Sequence, residues 1–523
     1  MTNKPLRLEG KNLSLGDVAQ VARNRQAVTV AAGARRRMSR AHDWVGRIMR
    51  GDSRAVYGVN TGFGVFSDVR LDPARAEQLS RNLLLSHAVG VGEPLPGDVV
   101  RAAMLVRANA LCGGHSGVRP QVVETLVAML NRGVTPWLPS QGSLGSSGDL
   151  APLAHLALVF TRHPQETESD SGRAWLGGEL LSGSEAMARA DIPRLVVGAK
   201  EGLALTNGAS LTAGMAALTL TDARRMLEAS VIGMALTAEA LRAARGAFDA
   251  RLHRARHHAG QMRIATAIRQ LTRGSRLLDQ SQRVQDAYSI RCAPQVLGAA
   301  LEALEHVETV VGHEINATTD NPLLFDGEAV SGGNFHGANL GMASDYLGIA
   351  MAQVAGISER RAFRLLSGSS GDELPPMLTR GVEDAGLNSG LMMLQYTAAS
   401  LVLENQTLAH PDSVHSLPTS AGQEDFNANA TTAARHARQI VMNAATVVAA
   451  ELIIACQALD IRRSQSEASV LGIGTRRAFR QVRALVPLLG RDQRMDGFLE
   501  AVARAILDGE FSIAIPAVAT RGS

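Results

Sequence analysis

Gly142-Ser-Leu-Gly-Ser-Ser-Gly148 puts three glycines and three serines into seven positions, directly ahead of Asp149-Leu-Ala-Pro-Leu-Ala-His155. Glycine opens backbone conformations closed to residues with a Cβ. Asp149 suits a helix N-cap, Pro152 a first turn, and Leu150, Leu153, Leu156 and Leu158 supply a buried face. The loop is therefore expected at the positive end of a helix, where negative charge is stabilised. Several chemistries compete for it. A hydrolase nucleophile elbow needs Gly-x-Ser-x-Gly, and Gly145-Ser146-Ser147-Gly148 is one residue short. A phosphate cradle needs a following Gly-Lys-Ser/Thr or the dinucleotide glycine spacing after a strand, and neither is present. A plain flexible connection stays open. So does self-condensation, because the unhindered Gly148 nitrogen of a compressed backbone can attack the carbonyl carbon of Ser146. Loss of two waters then leaves an imidazolone ring whose methylidene derives from Ser147. That product is an electrophile, which no ordinary side chain offers.

An electrophile to which an amine could add would work beside a base and an anchoring cation. Tyr57 lies in Tyr57-Gly-Val-Asn-Thr-Gly-Phe-Gly-Val65, whose glycines at 58, 62 and 64 oppose a helix and predict a mobile loop able to close over a substrate. With an ordinary pKa of about 10, it needs a cation or helix N-terminus nearby to act as a base near neutrality. Ring packing is its competing role. Gln285-Asp-Ala-Tyr288-Ser-Ile-Arg291 offers Arg291 as a bidentate carboxylate clamp, with Tyr288 and Gln285 as hydrogen-bonding groups for an amine. A helix-start salt bridge is the alternative for Arg291. The chain has four tyrosines, and two fall in these motifs. Asn207, in Glu201-Gly-Leu-Ala-Leu-Thr-Asn-Gly208, can bond an amine or a carbonyl, or simply make an Asn-Gly turn. His313-Glu314 lacks the second histidine of a zinc motif, so no metal is assigned.

From about Leu13 to Leu459 these motifs resemble the histidine/phenylalanine/tyrosine ammonia-lyase and aminomutase family. The resemblance implies the prosthetic group 4-methylideneimidazol-5-one, MIO, formed from Ser146-Ser147-Gly148. It implies Tyr57 as base, Arg291 as carboxylate anchor, and Asn207, Tyr288 and Glu424 in the catalytic set. Phe335, in Gly332-Gly-Asn-Phe-His336, would pack against MIO, its competing role being a loop tucked between helices. The family tripeptide is Ala-Ser-Gly, so Ser146 departs from it at a position that contributes only a ring substituent. Gly-Ser-Ser-Gly-Asp recurs at 368–372, and the resemblance picks the first copy because the second runs into Glu373-Leu-Pro-Pro376. Leu85-Ser-His-Ala88 and Gln423-Glu-Asp425 match histidine-specific members, with His87 and Glu424 giving an imidazole both a donor and an acceptor. Phe426-Asn427-Ala428 replaces His-Val-Ser, Gly422 replaces Asn, and Ala287 stands where such members often have Pro. The implied activity is conversion of L-histidine to urocanate and ammonia. A tyrosine or phenylalanine ammonia-lyase and a 2,3-aminomutase are the alternatives. The implied assembly is a homotetramer with each active site shared among three subunits.

The elements that must position these groups follow from composition and period. The 523 residues are 46% hydrophobic, enough for a large core. Lys+Arg number 53 against 49 Asp+Glu, and aromatics make up 3%, so basic clusters such as Arg35-Arg36-Arg37 have no stacking platform and a nucleic-acid partner is not expected. A helical scaffold or nucleic-acid binder would leave the Gly-rich motifs unexplained. Cys112, Cys292 and Cys456 show no metal spacing and suggest a reducing, cytoplasmic setting, and no signal core opens the chain. Ile440–Ala455 is apolar but broken by Asn443 and Glu451, which fits a helix among helices rather than a membrane span. Short strands are expected at Leu6–Leu8 and Ala27–Ala31, with helices from Ser14, over Ala34–Met49, Ala74–Val89, Val99–Leu111 and Pro120–Arg132. Glu166–Gly183 reads as a Gly-rich surface excursion. Ala209–Ala247, Pro294–Val311, Met342–Leu366, Leu391–Thr407 and Thr431–Leu459 read as long helices. The expected fold is mainly α, with a smaller N-terminal helical domain carrying minor β over 1–204 and a long-helix bundle over 205–523. The resemblance implies a fumarase/aspartase-like architecture.

Overall fold

The computed structural model describes residues 4–51, 55–62, 69–165, 171–368, 374–379, 386–466 and 468–516. The chain forms two compact units, each discontinuous in sequence: residues 1–221, 308–345 and 411–435, and residues 222–307, 346–410 and 436–523.

In the first unit, Leu6–Leu8 pairs in parallel with Val28–Val30, and Leu15–Asn24 is a helix opened by a reciprocal Ser14/Asp17 capping box. The helix Gly97–Cys112 is the unit's centre, buried at every position from Val99 to Cys112. Its apolar residues make the core, while Arg101 donates to the carbonyls of Val21, Ala22 and Leu130, at the C-terminal ends of Leu15–Asn24 and Pro120–Arg132. A guanidinium there meets the negative ends of both helices, which is how the charge is buried without a carboxylate. Burial lowers the Arg101 pKa to about 10, which leaves it charged near neutrality.

The Gly-rich stretch before Gly183 is more ordered than its composition suggests. Arg173–Leu176 and Glu179–Ser182 form an antiparallel hairpin, with Ala174 and Leu181 buried, and Thr135–Pro136 extends the sheet. Gly177-Gly178 closes the turn with φ of 60° and 90°, values that two adjacent non-glycine residues seldom share. The Gly-Gly pair is a hairpin signal as much as a loop signal. Residues 166–170 lie outside those described.

The second unit consists of long helices: the greater part of Ser210–Ala240, Ala293–Glu314, Ala338–Leu366 and Ala430–Gln465, together with Met392–Leu408, Ile473–Leu485 and Asp496–Asp508. The long elements match the expected helical runs, and the fold is mainly α. Ala430–Gln465 is long and apolar enough to cross a membrane, yet 83% of its apolar window is buried within the chain. Its hydrophobicity is therefore satisfied by helix packing. Glu451 on this helix is fully buried and bound to Arg361, Ser358 and Thr237, while Arg361 also reaches Ser230. Gly233 makes room, since a Cβ there would lie 3.1 Å from the carboxylate.

A buried pair of this kind is costly to break but weakly stabilising as a whole. Glu451→Ala should cost about 3–5 kcal/mol in urea unfolding, by leaving Arg361 uncompensated, whereas the Arg361→Met, Glu451→Met double variant should be more stable than either single variant.

Candidate active site

Four helix N-termini meet at the serine loop. Asp149, just before Leu150–Phe160, donates its backbone N–H to Gly208 O at 3.0 Å, two residues ahead of Ser210–Ala240. Gly337, ahead of Ala338–Leu366, donates to Gly145 O at 3.0 Å. Ala428, just before Ala430–Gln465, donates to Ser146 Oγ at 2.9 Å, and Thr431 Oγ1 lies 2.7 Å from Ser143 Oγ. The approach is close enough to exclude side chains. A Cβ on Gly148 (φ 80°) would lie 2.2 Å from Gly208 N, and one on Gly208 (φ 121°) would lie 2.0 Å from Thr319 O. Only glycine permits this backbone contact.

Asp149 stands at the N-cap position but makes no side-chain cap for its own helix. Its carboxylate accepts from Thr212 N–H and Thr212 Oγ1, Thr431 Oγ1 and Ser143 Oγ, so it caps the neighbouring helix and ties three segments together. Full burial raises its pKa, and these hydrogen bonds oppose the rise.

Within Ser146-Ser147-Gly148 the hydrogen bonding is uneven. Ser146, 5% exposed, donates from Oγ to Leu144 O while accepting from Ala428. Among the described residues, Ser147 Oγ, Gly148 N and Ser146 O make no hydrogen bond. A condensation of Gly148 N onto the Ser146 carbonyl, with loss of Ser147 Oγ, would consume the groups the fold leaves unengaged. The tripeptide therefore fits the ring proposed from sequence. The second Ser-Ser-Gly copy, at 369–371, lies outside the described residues.

Asn207 is buried beside this contact. Its Nδ2 donates to Asp320 Oδ1 and Asn321 O, both at 3.3 Å, which leaves its Oδ1 as the acceptor. Asp320 is held by Lys200 Nζ at 2.8 Å, in an ion pair that is fully buried. Burial lowers the Lys200 pKa and the Asp320 charge opposes that. Arg107, also fully buried, donates to the carbonyls of Thr319 and Ala204. Sequence reasoning missed Lys200, Asp320 and Arg107. The polar run Thr318-Thr-Asp-Asn-Pro322 between apolar helices was the available signal, but it names no partner 120 residues away.

Tyr57 lines a cavity of about 730 Å³ with Trp44, Ile48, Val56, Pro322 and Ser331. Pro322 follows Asn321, so the cavity wall connects through Asn207 and Gly208 to the serine loop. The described part of the Tyr57 loop is anchored: Val56 and Val59 are buried in the cluster of Trp44, Val45, Ile48 and Leu324, and Gly58 N–H donates to Thr61 Oγ1. Residues 63–68 are outside those described. Phe335 is half-buried in a turn pinned on both sides, by Asn334 to Thr318 O and by Gly337 to Gly145 O.

His87 ends the helix Pro73–His87, with Ser86 Oγ 3.0 Å from its Nδ1. Burial lowers its pKa, opposed by the Leu83 carbonyl and by the charge of Glu424, so it is neutral near pH 7. Glu424 sits in a tight antiparallel bridge with Thr419, whose Oγ1 lies 3.2 Å from Glu424 Oε2. Ser420 and Ala421 take left-handed φ of 51° and 53° to make the turn between them.

The remaining candidates lie in the second unit. Arg291 ends the short helix Tyr288–Arg291, its Nε donating to Asp286 O at 3.0 Å and its guanidinium lying 4.5 Å over the Tyr288 ring. Asp286 spends its carboxylate on Ala244 N–H and Arg283, and among the described residues Arg291 has no ion-pair partner. Tyr288 is 71% exposed, and Gln285 is exposed. The cluster thus presents an unpaired cation and two polar side chains.

The family model for aromatic amino acid lyases matches residues 13–484. The chain belongs to the aromatic amino acid lyase family. It is a carbon–nitrogen lyase of that family, similar to a histidine ammonia-lyase from Caldanaerobacter subterraneus subsp. tengcongensis at 46% identity over 94% of each chain. Among solved structures it is similar to a tyrosine aminomutase from Streptomyces globisporus (TM-score 0.89, 34% identity, 97% of this chain and 98% of that one). It is similar also to a histidine ammonia-lyase from Trypanosoma cruzi (TM-score 0.88, 33% identity, 97% and 94%). The lyase's central constraint is testable by one methyl group. Gly208→Ala is expected to destabilise by about 2–3 kcal/mol in urea unfolding. Gly246→Ala, where a Cβ would meet nothing within 4 Å, is the control and should be close to neutral.

Proposed function

We propose that this lyase eliminates ammonia from L-histidine to give urocanate, using MIO formed from Ser146-Ser147-Gly148. The observation that carries the reading is the uneven bonding of the tripeptide: among the described residues Gly148 N, Ser146 O and Ser147 Oγ have no hydrogen-bond partner, while the retained Ser146 hydroxyl is engaged. When present, the ring supplies an electrophilic methylidene carbon that turns a substrate amine into a better leaving group. The surrounding residues do the rest. Helix N-termini around the loop stabilise negative charge at the ring oxygen. Asn207 Oδ1, left as an acceptor by Asp320, orients the substrate ammonium. Tyr57, on a cavity wall, removes the β-proton. Arg291 holds the carboxylate bidentately, with Gln285 and Tyr288 beside it. Phe335 covers the ring.

Histidine is favoured over other aromatic substrates by His87 and Glu424. Burial favours a neutral His87 against the opposing effect of the Glu424 carboxylate, so His87 can donate to and Glu424 accept from an imidazole. Phenylalanine would leave both polar groups unpaired. The subunits are proposed to form a homotetramer with shared active sites. The exposed apolar residues Tyr346, Ile349, Phe363, Met393, Tyr396 and Leu403 on the second unit's helices support an extensive subunit contact.

Intact-mass measurement should find the subunit lighter by two waters, and Ser147→Ala should restore the full mass and abolish turnover. In a substrate panel with product identification, histidine should react with a kcat/KM at least about a hundredfold above that for phenylalanine or tyrosine. An aminated β-product would instead identify a mutase. Glu424→Gln should raise KM for histidine more than it lowers kcat.

A further inference from the structure

Two of the places where the chain departs from the pattern it resembles are the two ends of one hydrogen bond. Ser146 replaces alanine, Phe426-Asn427-Ala428 replaces His-Val-Ser, and Ala428 N–H donates to Ser146 Oγ at 2.9 Å. We propose that the Ser146 hydroxyl is a positioning group that ties the ring-forming tripeptide to the segment carrying Glu424, and so sets the affinity for substrate. This rests on the reading of residues 146–148 as the prosthetic tripeptide.

The bond is built into the interior. Ser146 is 5% exposed and Ala428 3% exposed, so the Ala428 N–H has no water to turn to. Ser146 Oγ acts in both directions, accepting from Ala428 and donating to Leu144 O at 3.2 Å, which fixes its rotamer. Condensation through the Ser146 carbonyl would leave this hydroxyl intact as a ring substituent, so the tie outlasts ring formation.

The other end is stiff. Asn427, 1% exposed, donates its backbone N–H to Ser416 Oγ at 2.7 Å and its Nδ2 to Leu417 O. Thr419 and Glu424 exchange backbone bonds of 2.8 and 3.2 Å, and Thr419 Oγ1 holds the Glu424 carboxylate. Residues 416–428 therefore form a closed hydrogen-bonded loop in which a displacement of Ala428 is passed to Glu424. Among the described residues Asn427 Oδ1 is buried without a partner, so the segment already carries one unmet polar atom. A second, at Ala428 N, would loosen it.

The test compares wild type with Ser146→Ala and with Ser146→Thr, which keeps the hydroxyl. Ser146→Ala should still be lighter by two waters, with KM for histidine raised about tenfold and kcat reduced less than about threefold. Hydrogen–deuterium exchange should speed up in the peptide covering 416–428. Ser146→Thr should return both KM and exchange towards wild type. A loss of folded fraction alone would lower apparent kcat and leave KM in place, so the split separates positioning from bulk stability. If the wild type is dehydrated and Ser146→Ala matches it in KM and exchange, the proposal is overturned. If Ser146→Ala fails to fold, exchange of the wild-type Ala428 amide at the free-peptide rate would overturn it equally. An undehydrated wild type would instead remove the underlying reading, and the mass alone distinguishes that case.

Discussion

The contact between Gly148 and Gly208 is the constraint on which the rest of the site depends. Two backbones meet where neither residue can carry a Cβ, and the bonds around them follow from that proximity: Asp149 N–H to Gly208 O, the Asp149 carboxylate to Thr212, and Asn207 to Asp320. Four helices begin beside the loop, so N–H groups at their starts, which find no partner within their own helices, are gathered around it. Such a concentration of positive potential would be unfavourable without an anion or a polarised oxygen at its centre. The Asp149 carboxyl group lies there, and four donors converge on it.

Buried ions play the same part in both units. Lys200–Asp320 in the first and Arg361–Glu451 in the second are almost completely removed from water, and each carboxylate takes further donors. Replacing such pairs with apolar residues is often neutral for stability, so bulk stability does not explain them. Their geometry does. Asp320 fixes which way the Asn207 amide faces, and a simple apolar contact could not specify that. Glu451 links three long helices at one level, which apolar packing alone would leave free to slide.

The long helices were legible because their apolar period runs for many turns and little else in the sequence competes with it. Ala293–Glu314 and Ala430–Gln465 lie within three and six residues of the expected ends. The hairpin at 173–182 was obscured because Gly177-Gly178 has the composition of a loop and only its pairing makes it a turn. At the site, the glycine- and serine-rich motifs stood out by residue type. Asp149 was visible as a cap, but the helix it caps starts about sixty residues later and could not be named. Lys200, Asp320 and Arg107 were invisible for the same reason: a buried charge shows its purpose only beside its partner, and the partners lie 120 and 212 residues apart.

Dividing the labour among loops explains why chemistry is easier to recognise than substrate. The serine loop, Gly208 and the Asn207–Asp320–Lys200 chain are locked by backbone contacts and buried ions, where a single methyl group or lost proton is felt across the site. His87 and Glu424 stand instead at a helix end and in a small bridged turn, each half-buried and held by only a few bonds. Side chains in such positions can change at little cost to the fold. A rigid centre, proposed to form the electrophile, surrounded by replaceable side chains would let one architecture serve several amino acids. Specificity then depends on how firmly the replaceable shell is joined to the fixed centre, and in this chain the bond from Ala428 to Ser146 is such a joint.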